Sequence, residues 1–304
     1  MGPRHGDAAI PRAAIPRAAI PRAAIPRATT AVILARGLGT RMRAEDGAAL
    51  TEAQRAAAAV GAKGLMPVAG HPLLDHVLHE LAEGGVTDVV FVVAPRETAL
   101  RGRYGRDKVP RRIRVRFAEQ VEPRGTADAL IAAREAVDEC GPHDAAGTAH
   151  FLMLNADNLY PAESVRALVA LDGPGLVAYD AEALSSLGNI EPERVRAFAL
   201  LELSAADELR EIVEKPALDH LLLRAAEQWV SMNLWRFDSG IFDDCARVRP
   251  SVRGELELSD AVRGAIARGV RFRAVRQRLP VLDLSRRGDV ATVEARLAGR
   301  VPSP

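Results

Sequence analysis

Short, fully apolar segments recur along the chain and alternate with segments of helical pattern. The runs AVILA (31–35), DVVFVVA (88–94) and HFLMLNAD (150–157) have the composition of strands that are buried on both faces. Helical stretches such as PLLDHVLHELAEGG (72–85) and TADALIAAREAVDEC (126–140) separate or follow these strands. Strands and helices that alternate at this spacing predict an α/β fold with a doubly wound, mostly parallel mixed sheet.

The first 28 residues differ from the rest in composition. Residues 8–27 repeat the sequence AAIPR four times. A proline at every fifth position is incompatible with a continuous helix, because proline lacks the backbone N–H and clashes with the preceding turn. We therefore predict that residues 1–28 form a disordered tail and that residues 29–304 form a single domain.

Composition excludes several classes of protein. The 41 basic and 40 acidic residues give a formal net charge of +1, which argues against bulk nucleic-acid binding. No apolar run reaches the roughly 18 residues of a membrane span. Cys140 and Cys245 are far apart and fit no metal-ligand spacing, which suits a reducing compartment. We expect a soluble cytoplasmic protein with neither a membrane nor a nucleic acid as partner.

Residues 31–45, AVILARGLGTRMRAE, join an apolar strand to a glycine-rich turn and then to a helical segment. Such a turn often binds phosphate, and three interpretations compete. A dinucleotide-binding fingerprint needs a third glycine where Met42 stands, and a P-loop needs a Gly-Lys-Ser/Thr that is absent. The third interpretation is a loop that wraps a nucleoside triphosphate with backbone N–H groups and offers Arg41 to its phosphates.

The segments after the loop decide between these interpretations. Lys63 precedes an apolar-Pro-Val turn, and Gln120 lies five residues before Gly125, which opens a helix. Asp157 ends a buried strand, at the position where open α/β sheets bind ligands. Three more segments follow in order, namely EIVEKP (211–216), PSVRGELELSDAV (250–262) and VLDL (281–284).

In this order the segments resemble those of sugar-1-phosphate nucleotidylyltransferases, and the layout is nearest to glucose-1-phosphate thymidylyltransferases. LARGLGTRM stands where the family has L-A-G-G-x-G-T-R-[LM], Asn155-Ala156-Asp157-Asn158 where it has L-G-D-N, and Glu214-Lys215-Pro216 where it has E-K-P. The resemblance runs from about Ala31 to Asp283. It implies a Rossmann-like, GT-A-like nucleotidyltransferase fold and an enzyme of the EC 2.7.7 class.

The resemblance also implies how the domain is divided. We expect a nucleotide-binding half at about 29–160, a sugar-binding half at about 161–285 and a C-terminal helix at 286–299. It further implies a homo-oligomer.

The implied reaction transfers a nucleoside monophosphate from a nucleoside triphosphate, with dTTP or UTP favoured, to a sugar-1-phosphate and releases pyrophosphate. Both substrates are polyanions, so cations must offset their repulsion. Mg²⁺ is the implied cofactor, with Asp157 and Asp283 as its ligands.

The site residues that the resemblance implies divide by role. The catalytic residues are Arg41, Lys63 and Asp157. Arg41 would hold the departing pyrophosphate, and Lys63 would bridge the two reacting phosphates. Gln120 would read a pyrimidine edge through one donor and one acceptor of its amide. The full nucleotide-binding set is Leu34, Ala35, Gly37, Gly39, Thr40, Gln120, Gly125 and Thr126. The sugar-phosphate-binding set is Glu214, Lys215, Asn233 and Arg253.

The chain departs from the family pattern at several positions. Arg36 stands where the loop has its first glycine, and 21 residues separate Arg41 from Lys63, an insertion that could act as a lid. Ala199 stands where a sugar-binding glycine is expected, so the identity of the sugar is open. Two alternative functions are a non-catalytic relative that binds nucleotide sugar and regulates a partner, and a nucleotidyltransferase that acts on a non-sugar phosphate.

Overall fold

The computed structural model of the chain describes residues 29–105, 110–140, 143–144, 146–196, 198–217 and 220–304. The tail that we predict to be disordered, residues 1–28, lies outside the described residues. The strands are β1 (Thr30–Leu34), β2 (Pro67–Val68), β3 (His71–Pro72), β4 (Asp88–Val93), β5 (Arg114–Glu119), β6 (His150–Asn155), β7 (Asn158–Leu159), β8 (Gly175–Asp180), β9 (Ala199–Leu203), β10 (Leu209–Val213), β11 (Trp229–Asp238), β12 (Arg273–Gln277) and β13 (Leu282–Asp283).

The helices are α1 (Thr40–Arg43), α2 (Glu52–Val60), α3 (Leu73–Glu83), α4 (Ala99–Tyr104), α5 (Thr126–Ala132), α6 (Arg134–Asp138), α7 (Ala162–Val169), α8 (Ala181–Ser186), α9 (Pro192–Val195), α10 (Ile241–Ala246), α11 (Leu258–Ala267) and α12 (Asp289–Leu297).

Nine strands of the described chain form one mixed sheet. Seven of them follow the order β10-β9-β11-β6-β1-β4-β5, while β8 pairs with β11 and with β12. β1 lies between β4 and β6 and is parallel to both, and β5 continues the parallel arrangement beyond β4. β11 runs antiparallel to β6, β8 and β9. The predicted α/β class with a mostly parallel mixed sheet is confirmed.

Helices cover both faces of this sheet. Because successive side chains of a strand point to opposite faces, Ile33 of β1 packs into one hydrophobic cluster and Val32 into the other. The first cluster includes apolar residues of α3, α7 and α12, and the second includes apolar residues of α5, α10 and α11. This two-sided burial explains why the central strands read as continuous apolar runs in the sequence.

Several element boundaries differ from the sequence expectation for identifiable reasons. The predicted helix 126–140 divides into α5 and α6, because the N–H of Ala133 bonds to the carbonyl of Leu130 and interrupts the regular ladder. α12 begins at Asp289, and the Asp289 carboxylate accepts hydrogen bonds from the backbone N–H groups of Ser285 and Arg286 before it. α2 begins with a capping box between Thr51 and Gln54.

Across the residues described, we find no helix with the combined length and apolarity that crossing a bilayer demands.

One buried histidine gives the fold a pH dependence. The side chain of His76 on α3 is 3% exposed, and its Nε2 lies 3.4 Å from the carbonyl oxygen of Val68. Burial is the main cause that lowers the pKa of His76 below its ordinary value. As the pH falls below about 6.5, the unfolded chain therefore takes up a proton on His76 before the folded chain does, and stability falls.

We predict that His76→Gln loses less stability than the wild type when the pH is lowered from about 7.5 to about 5.5. Urea unfolding at both pH values measures this difference. His143→Gln, which replaces an exposed histidine, serves as the control and should behave as the wild type. Equal losses in the wild type and in His76→Gln would contradict the prediction.

Candidate active site

Two short strands bring two aspartates together at the end of the central sheet. β6 ends at Asn155, and β7 then pairs antiparallel with β13, so that Asp283 lies opposite Asn158. The backbone N–H of Leu284 donates to the carbonyl of Asp157 over 2.9 Å. Asp157 and Asp283 are far apart in the sequence, and this pairing places them side by side at the carboxyl end of β6.

Asp283 is buried and carries a perturbed carboxyl group. Loss of water on burial, followed by the nearby charge of Asp157, raises the pKa of Asp283 well above its ordinary value. Its Oδ1 accepts a hydrogen bond from Arg194 Nη2 at 2.8 Å, and its Oδ2 accepts one from the Ser285 hydroxyl at 2.9 Å. These contacts hold the carboxyl in place and offset part of the repulsion from Asp157.

Lys63 completes this cluster. Its Nζ lies 2.7 Å from Oδ2 of Asp157, and both side chains are largely shielded from solvent. Lys63 opens a 3₁₀ turn, Lys63–Leu65, that begins three residues after the end of α2. The three residues that the sequence placed at the centre of the chemistry, Lys63, Asp157 and Asp283, therefore lie in one cluster.

The residues of this cluster fit a magnesium ion. Among the described residues, no group of three or more His, Cys, Asp and Glu side chains forms a ready-made metal cage. Mg²⁺ is usually held by one or two carboxylates together with substrate phosphates, and two adjacent carboxylates are what Asp157 and Asp283 supply. The side-chain oxygen Oδ1 of Asn158, next to Asp157, is buried and has no hydrogen-bond partner.

The glycine-rich loop leaves β1 beside this cluster. Leu34 ends β1, and its carbonyl accepts a hydrogen bond from Ala156, the neighbour of Asp157, at 3.3 Å. Ala35 extends the strand by donating to Val92. Further along the loop, Gly37 and Thr40 are exposed.

Gly39 is more constrained than Gly37, the other glycine of the loop. It adopts a φ of +61°, and a Cβ built on it would lie 2.5 Å from the carbonyl oxygen of Gly61, at the end of α2. Gly61 has a φ of +73°, so the two glycines allow two backbone segments to touch. The insertion between Arg41 and Lys63 is thus packed directly against the loop.

Arg41 is the first basic residue after the loop glycines. Its side chain is exposed and makes no hydrogen bond or ion pair with any residue that the structure describes. It is therefore available to an anion that enters the loop.

The side chain of Arg36 joins the loop to the predicted base reader. Arg36 Nε donates to the backbone carbonyl of Gln120 at 3.1 Å, so the arginine at the family's glycine position is accommodated by a specific contact. Gln120 is buried, and its amide nitrogen donates to the carbonyl of Gly125 at 3.1 Å and to Oδ2 of Asp128 at 2.8 Å. Both N–H groups of this amide are thus already engaged.

Gly125 and Thr126 lie against the loop that carries Arg253. A Cβ on Gly125, whose φ is +122°, would lie 2.5 Å from the backbone oxygen of Leu256. The hydroxyl of Thr126 accepts a hydrogen bond from the backbone N–H of Leu258 at 2.9 Å. The predicted nucleotide-binding and sugar-phosphate-binding segments are therefore in contact at this point.

The predicted sugar-phosphate residues lie on irregular backbone. Lys215 follows β10 with a φ of +44°, and Asn233 has a φ of +59° at a bulge where the register between β11 and β8 shifts. Arg253 is paired with Glu257 at 2.6 Å. Glu214 is exposed as a residue, but partial desolvation of its carboxyl, and then the charge of Glu257, raises its pKa above the ordinary value.

Sequence reasoning missed the residues that support Asp283. Arg194 bridges two buried carboxylates, with Nη2 on Asp283 and Nη1 2.6 Å from Asp289. Asn189 exchanges two hydrogen bonds of 2.8 Å with the backbone of Asp283. Nothing in the local sequence around Arg194 or Asn189 marks these contacts, because their partners are about 90 residues further along the chain.

A separate cavity of about 230 Å³ lies at the other end of the sheet, where β6 begins. Its lining includes Asp243 and Asp244, and each is already paired with an arginine, Asp243 with Arg134 and Asp244 with Arg268. Since these two carboxylates are ion-paired and none of the predicted site residues lines the cavity, it is not the candidate active site.

Comparison with known proteins assigns the chain to a family. The nucleotidyl transferase family profile matches residues 30–279. The chain belongs to the nucleotidyl transferase family. The predicted resemblance to sugar-1-phosphate nucleotidylyltransferases, and the prediction that the chain is an enzyme of that class, are confirmed.

Three individual proteins are similar to this chain in sequence. The UTP–glucose-1-phosphate uridylyltransferase AglF of Haloferax volcanii is 27% identical over 246 residues, which cover 81% of this chain and 87% of that protein. The glucose-1-phosphate thymidylyltransferase of Neisseria meningitidis is 27% identical over 75% of this chain and 68% of its own. The bifunctional protein GlmU of Methanococcus vannielii is 25% identical over 78% of this chain, which spans about half of GlmU (47%).

Solved structures show the same fold. The crystal structure of UDP-glucose pyrophosphorylase complexed with UDP-glucose superposes with a TM-score of 0.66 over 88% of this chain and 98% of its own, at 15% identity. The UTP-bound UGPase from Acinetobacter baumannii gives a TM-score of 0.65 over 90% and 95%, also at 15% identity. The predicted nucleotidyltransferase fold is confirmed by these superpositions.

We predict that Gly39→Ala damages the protein more than Gly47→Ala. Both glycines have positive φ, 61° and 77°, but a Cβ on Gly47 meets nothing within 4 Å. Gly47→Ala should lose about 1 kcal/mol of stability through backbone strain alone. Gly39→Ala should lose more stability than Gly47→Ala, or bind nucleotide at least about 10-fold more weakly, because its Cβ meets fixed backbone. Urea unfolding and nucleotide titration test this, and equal effects of the two substitutions on both readouts would contradict it.

Proposed function

We propose that this protein transfers a uridylyl or thymidylyl group from UTP or dTTP to a sugar-1-phosphate and releases pyrophosphate. The observation that carries the proposal is the convergence of Lys63, Asp157 and Asp283 beside the glycine-rich loop. Two relatives, named as a glucose-1-phosphate uridylyltransferase and a glucose-1-phosphate thymidylyltransferase, support the choice of substrates.

In this reaction an oxygen of the sugar phosphate attacks the α-phosphorus of the nucleotide. A new P–O bond forms there, and the bond from the α-phosphorus to the oxygen bridging to the β-phosphate breaks, so that the electron pair leaves with pyrophosphate. The attacking oxygen is already anionic near neutral pH, and no proton has to move in this step. The protein's task is therefore to position two polyanions and to offset their charge.

Asp157 and Asp283 would hold the Mg²⁺ ion, which when bound withdraws negative charge from the phosphate oxygens. Lys63, now 2.7 Å from Asp157, would share its positive charge with the α-phosphate and the incoming sugar phosphate. Arg41, exposed on the loop, would hold the pyrophosphate as it departs. Arg194 and Ser285 each donate a hydrogen bond to the Asp283 carboxylate. These bonds would hold the carboxylate in place during the reaction.

Different segments of the chain would bind the two substrates. The triphosphate would contact Leu34, Ala35, Gly37, Gly39 and Thr40. Gln120, Gly125 and Thr126 would contact the base.

The sugar-1-phosphate would be bound by Glu214, Lys215, Asn233 and Arg253. The guanidinium of Arg253, which now pairs with Glu257, would then exchange that carboxylate for a phosphate, which arginine can bind through two parallel hydrogen bonds.

The experiment is a substrate panel. The purified protein is mixed with Mg²⁺, with each of UTP, dTTP, CTP, ATP and GTP in turn, and with a set of sugar-1-phosphates, and pyrophosphate release is followed. We expect release with a uracil or thymine nucleotide and with one sugar-1-phosphate, and no release when EDTA removes the metal. Release only with a purine nucleotide, or equal release in EDTA, would overturn the proposal.

We predict that Asp157→Asn lowers the turnover number at least about 100-fold, because it removes a carboxylate from the transfer centre. Asp243→Asn is the matched control, since Asp243 is also ion-paired but lies in the cavity at the opposite end of the sheet. Thermal unfolding checks that both variants are folded. Turnover by folded Asp157→Asn equal to that of the control would rule out Asp157 as a catalytic residue.

A further inference from the structure

The orientation of the Gln120 amide is set by two acceptors. Nε2 of Gln120 donates one hydrogen bond to the backbone oxygen of Gly125 and the other to Oδ2 of Asp128. Neither partner can donate a hydrogen bond in return when Asp128 is ionised, so chemistry alone fixes which end of the amide faces them. Rotating the amide by 180° would set its oxygen against two acceptors, one of which is charged.

The remaining atom of the amide is an acceptor. Oε1 of Gln120 accepts no hydrogen bond from any described residue, and it is not among the fully buried side-chain atoms that lack a partner. It therefore keeps a small accessible surface, although Gln120 as a whole is only 3% exposed. A ligand that meets Gln120 meets an oxygen and no N–H group, although the sequence had suggested one donor and one acceptor.

Asp128 is itself held in place. It lies in the first turn of α5 with its side chain 12% exposed, and its Oδ1 accepts a hydrogen bond from Arg124 Nη2 at 2.6 Å. Each oxygen of the carboxylate thus has a separate partner, Arg124 on one side and Gln120 on the other. Of these two partners, Gln120 is buried and Arg124 is exposed.

We propose that Asp128 is a specificity-determining residue that fixes the acceptor end of Gln120 toward the nucleotide base. This inference rests on the proposed function of the site. Uracil and thymine carry an N–H at N3, which an acceptor can bind, whereas N3 of cytosine is itself an acceptor and would repel it. By locking the amide, Asp128 selects uracil and thymine nucleotides over cytosine nucleotides without touching the base.

Asparagine at position 128 should weaken this selection. Its side chain can donate a hydrogen bond to Oε1 of a rotated Gln120, so that only the Gly125 carbonyl still opposes the rotation. Alanine at 128 removes the carboxylate and adds no donor, so its effect should be intermediate. The predicted order of preference for uracil over cytosine is wild type, then Asp128→Ala, then Asp128→Asn.

Equilibrium titration of the protein with UTP and with CTP tests this order independently of catalysis. We expect the ratio of the CTP to the UTP dissociation constant to fall about 10-fold from wild type to Asp128→Asn. Asp138→Asn, an exposed aspartate on α6, is the matched control and should keep the wild-type ratio. A change in general stability would weaken both nucleotides alike and leave the ratio unchanged.

The outcomes separate this inference from the proposed function. An unchanged ratio in both Asp128 variants, or binding of neither nucleotide by the wild type, would overturn the role of Asp128. A wild type that binds UTP over CTP, and whose preference falls in the predicted order, would support it even if the substrate panel gives no pyrophosphate. In that case the transfer reaction fails while the base selection stands.

Discussion

The candidate site depends on holding two like-charged carboxylates side by side. Asp157 and Asp283 repel each other, and burial of Asp283 makes that repulsion stronger because little water screens it. Backbone pairing between β7 and β13 imposes the proximity. Lys63 beside Asp157, and Arg194 beside Asp283, supply the positive charge that makes it tolerable. A divalent cation and two phosphate-bearing substrates would complete the charge balance.

The contacts that support the aspartate pair also connect distant parts of the chain to the site. Arg194 contacts Asp289 as well as Asp283, so it joins the start of α12 to the aspartate pair. Two residues before Asp289, the guanidinium of Arg287 donates to the carbonyls of Met42 and Arg43 at the end of α1. The C-terminal segment therefore braces both the aspartate pair and the glycine-rich loop.

Hydrogen bonds also hold the insertion that follows the loop. Gln54 of α2 donates to the carbonyl of Pro67, and the backbone N–H of Gly288 donates to Asp46. These contacts hold the segment that we considered a lid against the body of the protein, in the state that the structure describes.

Local sequence pattern predicted the central strands well, because burial on both faces leaves continuous apolar runs such as 88–94. The order of the motifs predicted the family and the residues around Asp157. Neither source of information could show that Arg194 reaches Asp283, since that contact joins residues 89 positions apart and depends on the tertiary fold. The orientation of the Gln120 amide was missed for a similar reason, because it depends on Asp128, one helical turn beyond the glycine.

The roles of individual site residues, the division of the domain into two halves, the homo-oligomer and the cytoplasmic location are still predictions. The measurement that tests the central claim most directly is a crystal structure of the protein with Mn²⁺ and a non-hydrolysable UTP analogue, with the metal located by its anomalous scattering. Our account predicts a metal peak within direct coordination distance of both Asp157 and Asp283, with nucleotide phosphate oxygens as further ligands. A metal bound elsewhere, or a nucleotide whose phosphates lie away from these two carboxylates, would contradict it.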